Sequence, residues 1–341
     1  MPTRVAINGF GRVGRSVLRA AHKQDAPFEI VAINDITDGA TLAHLLRYDS
    51  VYGPFPAPVS YADGELIVDG HAIRALAEPT LEALPWSELG VDVVIESTGH
   101  FTSKETAGAH LDAGAKRVII SAPGTAVDAT FVVGVNDDEF DPAKDFVVSN
   151  ASCTTNCFVP MVKVLDDAFG IESGLMTTVH AYTNDQNLLD LPHKDLRRAR
   201  AAAANIVPAS SGAARATSMV LESMKGRLDG AALRVPVPDG SITDFTAVVP
   251  GTVTVEQVNE AFAAAAAAGP LSKVLVYTED PIVSSDIVGS PASCTFDAGL
   301  TMVMPSASGI TLVKVQGWYD NEWGYANRLV DLTLVVGGSR S

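Results

Sequence analysis

The chain has 341 residues, 47% hydrophobic and 19% charged, a balance that suits an ordinary folded protein long enough for two domains with full cores. Its net charge of −16 argues against nucleic acid or an anionic membrane as a partner, because phosphate surfaces recruit basic ones. An anionic substrate therefore needs a local basic pocket.

The first strand, Arg4 to Asn8, follows Met1 so closely that no charged leader and apolar core of a signal peptide fit before it. Three cysteines, an odd number, fit a reducing cytoplasm. After the strand comes Gly9-Phe10-Gly11-Arg12-Val13-Gly14, which opens a helix over Arg15 to His22. Alone the GxGxxG pattern is weak. In this context the first glycine serves a tight turn, the second lets the backbone approach a pyrophosphate, and the third allows close helix–strand packing. A second strand, Glu29 to Asn34, ends at Asp35, about 20 residues past the glycines, where a carboxylate accepts from a ribose hydroxyl and repels a 2′-phosphate. NAD is thus favoured over NADP. Strands follow at Val91 to Ser97, Arg117 to Ser121, Phe131 to Val133 and Phe146 to Ser149. Their near-continuous apolar runs suit parallel strands buried on both faces, so residues 1–152 read as an α/β, Rossmann-type doubly wound dinucleotide-binding domain.

Next stands Ala151-Ser152-Cys153-Thr154-Thr155-Asn156-Cys157, ahead of a helix-like Pro160 to Phe169. A thiol at a helix start meets unpaired N–H groups and the positive end of the dipole, which favour a thiolate and also attract phosphate. Free cysteines are usually buried small hydrophobes, but three hydroxyl side chains close by argue against an apolar niche. Beyond it, alternating strands run over Gly174 to Thr183, Gly230 to Pro236, Ile242 to Pro250 and Ile310 to Trp318. They predict an α+β catalytic domain over 153–318 with a mostly antiparallel sheet. A charged connection from Asn184 to Asn205 carries Lys194, Arg197, Arg198 and Arg200, and a loop of this length in a compact domain is usually functional or an interface. The longest apolar run, Ala261 to Ala268, is a helix face stopped by Gly269-Pro270, and no segment reaches membrane-span length. Gly324 to Val336 reads as a helix, within a terminal segment of about 319–341 expected to pack on the first domain.

Two residues match the thiol chemically. His180 ends the run Leu175 to Val179; a lone strand-end histidine is more often structural, yet a thiol nucleophile needs a partner to take its proton. Arg234 sits in an otherwise apolar strand, where a guanidinium needs a carboxylate or a phosphate. Cys157, one helical turn after Cys153, reads as core-facing or as a minor redox neighbour and Cys294 as structural, and no third and fourth ligand accompany the pair for a metal.

The segments INGFGRVGR (Ile7 to Arg15), ASCTTNC, HAYTNDQ (His180 to Gln186), LRVPVPDGS (Leu233 to Ser241) and WYDNEWGY (Trp318 to Tyr325) together resemble the phosphorylating, NAD-dependent glyceraldehyde-3-phosphate dehydrogenases, in order and over essentially the whole chain. The resemblance implies oxidation of a phosphorylated aldehyde with NAD and inorganic phosphate to an acyl phosphate. It makes Cys153 the nucleophile and His180 the general base. It assigns the substrate phosphate to Thr183 and Arg234 with Arg198 helping, and the site of the attacking phosphate, or its border, to Ser152, Thr154, Ser211 and Gly212. On the cofactor side it sets Gly9, Gly11, Gly14, Arg12 and Val13 at the pyrophosphate, Asp35 at the ribose, Ser121 near the nicotinamide half and Asn321 at the carboxamide. Leu191-Pro192 resembles the pair of NAD-preferring members. A cytoplasmic homotetramer, with the charged connection between subunits, is implied as well.

Departures from the pattern are Ser211 for a threonine, Arg215 for a lysine, Phe158 for a smaller apolar residue, and Glu78-Pro79-Thr80 without the arginine common on the adenine side. The rival activities are oxidation of another phosphorylated aldehyde, such as erythrose 4-phosphate, with hydrolysis of the thioester, and a catalytically idle nucleotide-binding or redox-sensing protein. Dependence on phosphate separates the hydrolysing oxidation from the phosphorylating one.

Overall fold

A computed structural model describes residues 2–338, so the end of the expected terminal segment, 339–341, lies outside the described residues. The described chain divides into two compact units, residues 2–152 with 326–338, and residues 153–325.

In the first unit the elements run β1 (Thr3–Asn8), α1 (Arg12–Gln24), β2 (Phe28–Asn34), α2 (Gly39–Arg47), β3 (Val59–Ala62), β4 (Glu65–Val68), β5 (His71–Leu76), β6 (Val93–Glu96), α3 (Lys104–Ala107), α4 (Ala109–Asp112), β7 (Arg117–Ile120), β8 (Ala129–Thr130) and β9 (Val147–Ser149). They form one sheet in the order β3-β4-β5-β2-β1-β6-β7-β9-β8. From β5 to β8 every pairing is parallel, and the antiparallel β3-β4-β5 meander closes one edge. The β-branched runs explain this. Val5 to Ile7, Val93 to Ile95 and Val118 to Ile120 are buried on both faces, which only a sheet covered on both sides allows. Because β2 and β6 flank β1 on opposite sides, the strand order reverses at the carboxyl end of β1, where such sheets bind ligands.

Two expectations fail here. Phe131 to Val133 is not a strand: the ladder stops at Thr130, because the Asn136 side chain accepts from the Val132 N–H at 2.8 Å and donates to the Thr130 carbonyl at 3.0 Å. The helix after the glycines begins at Arg12 rather than Arg15, its N-cap being Gly11.

The second unit contains α5 (Cys153–Phe169), β10 (Ser173–Ala181), β11 (Val207–Ser210), α6 (Ala213–Ala216), β12 (Leu228–Val235), β13 (Ser241–Pro250), α7 (Val255–Ala267), β14 (Leu275–Thr278), α8 (Ser284–Ile287), β15 (Cys294–Asp297), β16 (Met302–Pro305), β17 (Ile310–Tyr319) and the start of α9 (Trp323–Val336). Its sheet has the order β11-β12-β10-β13-β17-β15-β14, with β16 on β17. Only β10–β12 and β14–β15 are parallel, so the sheet is mostly antiparallel. Along β13 and β17 the alternation of buried and partly exposed residues follows the period of two that the sequence shows. Helix α5 starts at Cys153, well before the expected Pro160, which is accommodated inside it. Helix α7 is fixed by a capping box, Thr254 with Gln257. The last helix starts at Trp323, because Tyr319 still pairs with Ser241 in the β13–β17 ladder.

Helix α5 lies on the sheet through a dense contact. Phe158, the departure noted in the sequence, meets Phe245 edge-on with ring centroids 4.8 Å apart. At Gly317 of β17 an added Cβ would lie 2.6 Å from Cys294 Sγ, 2.7 Å from Met161 Sδ and 3.3 Å from Cys157 Sγ. A side chain there would force these sulfurs to shift.

Candidate active site

In the first unit the glycine loop has the geometry a dinucleotide requires. Gly9 holds φ +90, and a Cβ on it would fall 2.6 Å from the Thr98 nitrogen. On Gly14 a Cβ would lie 2.3 Å from the Gly9 carbonyl oxygen, so the helix sits against the turn as closely as backbone allows. Gly11 faces open space at the start of α1, without a side-chain cap, leaving helix N–H groups available to an anion.

A cleft of about 390 Å³ lies beside the loop, lined by Asn8, Gly9, Gly11, Asp35, Glu78 and Thr98 among others, and among the described residues no arginine lines it. The Asp35 carboxylate accepts from the Phe10 N–H at 2.9 Å and the Thr37 N–H at 3.0 Å, which fixes it at the cleft wall with lone pairs to spare for a ribose. These features fit NAD. Arg12 is paired instead with Asp49 at 3.0 Å, so its charge is already engaged. Val13 is the second residue of α1, and the Ser121 N–H bonds the Glu96 carbonyl at 2.9 Å just past β7.

Beneath the cleft lies a buried polar chain that sequence reasoning missed. The Trp86 indole N–H donates to His110 Nδ1 at 2.9 Å, so His110 donates from Nε2 to Glu96 at 3.0 Å. Glu96 also takes the Asn8 amide at 2.6 Å and the Thr98 N–H and hydroxyl at 2.8 and 2.5 Å. Asn8 in turn accepts from Asn34 at 2.8 Å. The strand ends at the switch point are thereby locked together.

In the second unit Cys153 and His180 come together. Helix α5 presents the thiol in its first turn and β10 carries the histidine near its end, with Cys153 Sγ 3.5 Å from His180 Nε2. His180 Nδ1 donates to the Ala181 carbonyl at 2.7 Å, which leaves Nε2 as the acceptor facing sulfur. Burial, reinforced by the Arg234 charge, pushes the imidazole down to about 3, so it is neutral at working pH. Burial likewise pushes the Cys153 thiol up to about 11, against the pull of Arg234 and Thr154. Burial thus opposes the pull of the helix start toward a thiolate, and the neutral imidazole offers Nε2 to the sulfur.

The register of β10 on β12 places Arg234 opposite His180. Arg234 Nη1 donates to Thr183 Oγ1 at 2.7 Å and lies 3.3 Å from the Ala181 carbonyl oxygen, while its buried Nε has no hydrogen-bond partner among the described residues. The Thr183 hydroxyl donates to Asp185, which also takes Arg198 Nη1, and Arg198 Nε lies 3.4 Å from Asp195. Thr183, Arg198 and Arg234 thus form one cationic cluster with an unfilled donor. Ser211 accepts from the Ala213 N–H at 3.3 Å, next to Gly212, which caps α6, and Ser152 is half-buried.

The Thr154 side chain turns inward to bond the Tyr319 hydroxyl at 2.8 Å, and Tyr319 also bonds Thr178 at 2.7 Å. Asn321 is buried, its side-chain carbonyl accepting from Ser241 Oγ at 2.7 Å, while Ser241 accepts from the Ala181 N–H at 3.0 Å. Ser241, Tyr319 and Asp185 lie inside the segments that carry the family resemblance; their proximity to His180 comes from strand pairing.

A dinucleotide cleft in one unit and, in the other, a thiol–imidazole pair with guanidinium groups beside it fit an NAD-dependent dehydrogenase. Residues 3–104 match the family model described as glyceraldehyde 3-phosphate dehydrogenase, NAD binding domain, and residues 152–321 match the corresponding C-terminal domain. The chain is 60% identical to glyceraldehyde-3-phosphate dehydrogenase of Streptomyces coelicolor over 99% of each chain. It is 58% identical to the Mycobacterium avium enzyme of that name, over 99% of this chain and 100% of the relative. The chain belongs to the glyceraldehyde-3-phosphate dehydrogenase family.

Proposed function

We propose that Cys153 and His180 carry out the NAD-dependent oxidation of D-glyceraldehyde 3-phosphate to 1,3-bisphosphoglycerate, with Arg234, Thr183 and Arg198 holding the substrate phosphate. The observation behind this reading is the 3.5 Å approach of Sγ to an Nε2 made an acceptor by the Ala181 carbonyl. His180 takes the thiol proton as sulfur attacks the aldehyde carbon, and the carbonyl oxygen becomes an alkoxide. The Cys153 N–H at the start of α5 and the protonated Nε2 stabilise that charge. Bound NAD supplies the acceptor for the hydride. A thioester on Cys153 remains. Inorganic phosphate adds to its carbonyl, the C–S bond breaks, and the departing thiolate recovers its proton from His180.

The glycine loop and Asp35 bind NAD in preference to NADP, Val13 and Ser121 lie along it, and Asn321, oriented by Ser241, meets its carboxamide. Ser152, Ser211, Gly212 and the backbone of Thr154 border the attacking phosphate. The test is NADH formation from glyceraldehyde 3-phosphate, with and without phosphate, and again with NADP. Turnover that ignores phosphate would replace this reading with that of a hydrolysing aldehyde dehydrogenase.

We also propose a cytoplasmic homotetramer. Leu188, Leu189, Leu191, Leu196 and Ile206 lie exposed in or beside the charged connection, and Leu175 is exposed on the sheet, more apolar surface than a monomer ordinarily leaves open. Light scattering at assay concentration that gives the mass of one chain would refute this. Among the described residues no helix is long and apolar enough to cross a membrane.

A further inference from the structure

Asp185 stands in the cationic cluster assigned above to the substrate phosphate, and the inference drawn from it rests on that assignment. Its carboxylate takes the Thr183 hydroxyl proton on one oxygen and Arg198 Nη1 on the other. These are groups a phosphate would use.

A hydroxyl has one proton. While Thr183 gives it to Asp185, its oxygen serves only as acceptor, and it is in that role toward Arg234 at 2.7 Å. A phosphate oxygen therefore gains Thr183 and this arm of Arg198 only by taking them from Asp185. The carboxylate is free to leave: it is half-exposed on a connection without regular structure, and it has water to enter. Burial alone raises its carboxyl, but the Thr183 hydroxyl, Arg234 and Arg198 outweigh it and hold the group below the usual carboxylate range. It thus stays charged wherever the enzyme works.

We infer that Asp185 is a specificity-determining residue, an internal carboxylate that fills the phosphate pocket of the resting chain and yields it to a dianion but not to another monoanion. Exchanging one carboxylate for another gains nothing across Arg198 and Arg234. A phosphate ester carries a charge of about −1.5 to −2 at neutral pH and three acceptor oxygens, enough to engage both guanidinium groups together with Thr183. Discrimination then comes from a repulsive, competing element as much as from the attractive ones.

The test compares glyceraldehyde 3-phosphate, unphosphorylated glyceraldehyde and the carboxylate-bearing succinic semialdehyde in the parent, Asp185→Asn and Thr183→Val enzymes. Asp185→Asn should lower KM for glyceraldehyde 3-phosphate by about three- to tenfold, and improve kcat/KM for succinic semialdehyde relative to glyceraldehyde by a similar factor. A raised KM for the phosphorylated substrate would mean that Asp185 merely scaffolds Arg198 and Thr183, and would overturn the inference with the pocket assignment intact. Thr183→Val should cut the preference for the phosphorylated over the unphosphorylated aldehyde by about tenfold. If that preference does not move, the pocket assignment itself fails, and the inference falls with it.

Discussion

Replacement of Glu96 by glutamine tests the buried chain beneath the nucleotide cleft with almost no change in shape. The parent side chain is an acceptor at both oxygens, one taking Asn8 and His110, the other the Thr98 N–H and hydroxyl. Glutamine turns one oxygen into an NH₂ group. Set toward His110, it confronts an Nε2–H that cannot become an acceptor, since Nδ1 already serves the Trp86 indole. It also confronts the Asn8 amide, whose own oxygen is committed to Asn34. Set the other way, it meets the Thr98 N–H. Either orientation strands one or two buried donors at about 1–3 kcal/mol each, a loss of about 1–6 kcal/mol. At about 2–4 °C per kcal/mol for a unit of this size, the melting temperature should drop by roughly 10 °C. NAD affinity should weaken as well, because Asn8 and Thr98 line the cleft. Thermal and urea unfolding with NAD titration make the measurement. A Glu96→Gln protein within about 0.5 kcal/mol of the parent would show that the chain is slack and the tautomer argument wrong.

Other expectations follow from the same geometry. His180→Asn should slow turnover by about 10²–10⁴-fold while Cys153 still reacts with iodoacetamide; an undiminished rate would make His180 structural. Cys153→Ser should abolish aldehyde oxidation with NAD binding retained, and turnover in it would refute the adduct mechanism. Because His180 titrates at 6.5 when unfolded and near 3 when folded, the unfolded chain binds more protons between those values. Stability should therefore fall as pH drops from 6.5 toward 3, by a few kcal/mol, and unfolding curves of His180→Asn should be flatter over that window. Gly14→Ala places a methyl 2.3 Å from the Gly9 oxygen and should destabilise the first unit by about 1–3 kcal/mol, with loss of NAD binding by calorimetry.

What the sequence made legible was periodic or punctuated. The apolar runs of β1, β6 and β7 and the glycines between β1 and α1 each carry a local signature. The strands that escaped notice, β3 to β5, β11 and β14 to β16, are four- to six-residue segments whose burial is set by neighbours far along the chain. At Phe131 the apolar pattern was strand-like, and the Asn136 side chain ended the ladder. The same division holds at the site. Cys153, His180 and Arg234 stood out by residue type, whereas the inward turn of Thr154 and the placing of Ser241 between Ala181 and Asn321 depend on rotamers and strand register. The titration of Cys153 depends on burial, which a motif does not encode.

Gly317 contributes nothing to the chemistry, yet the catalytic spacing is answerable to it. With three sulfur atoms crowded against its α-carbon, it fixes how near α5 comes to the sheet. The helix carries the nucleophile and the sheet carries the base, so their separation is a dimension of the core. A single methyl at this strand position would push the two apart like a shim in a vice, and selection on turnover would then act at a residue no substrate touches. Drift in this core should accordingly trade sulfur for hydroxyl or methyl around the glycine, and leave the glycine alone.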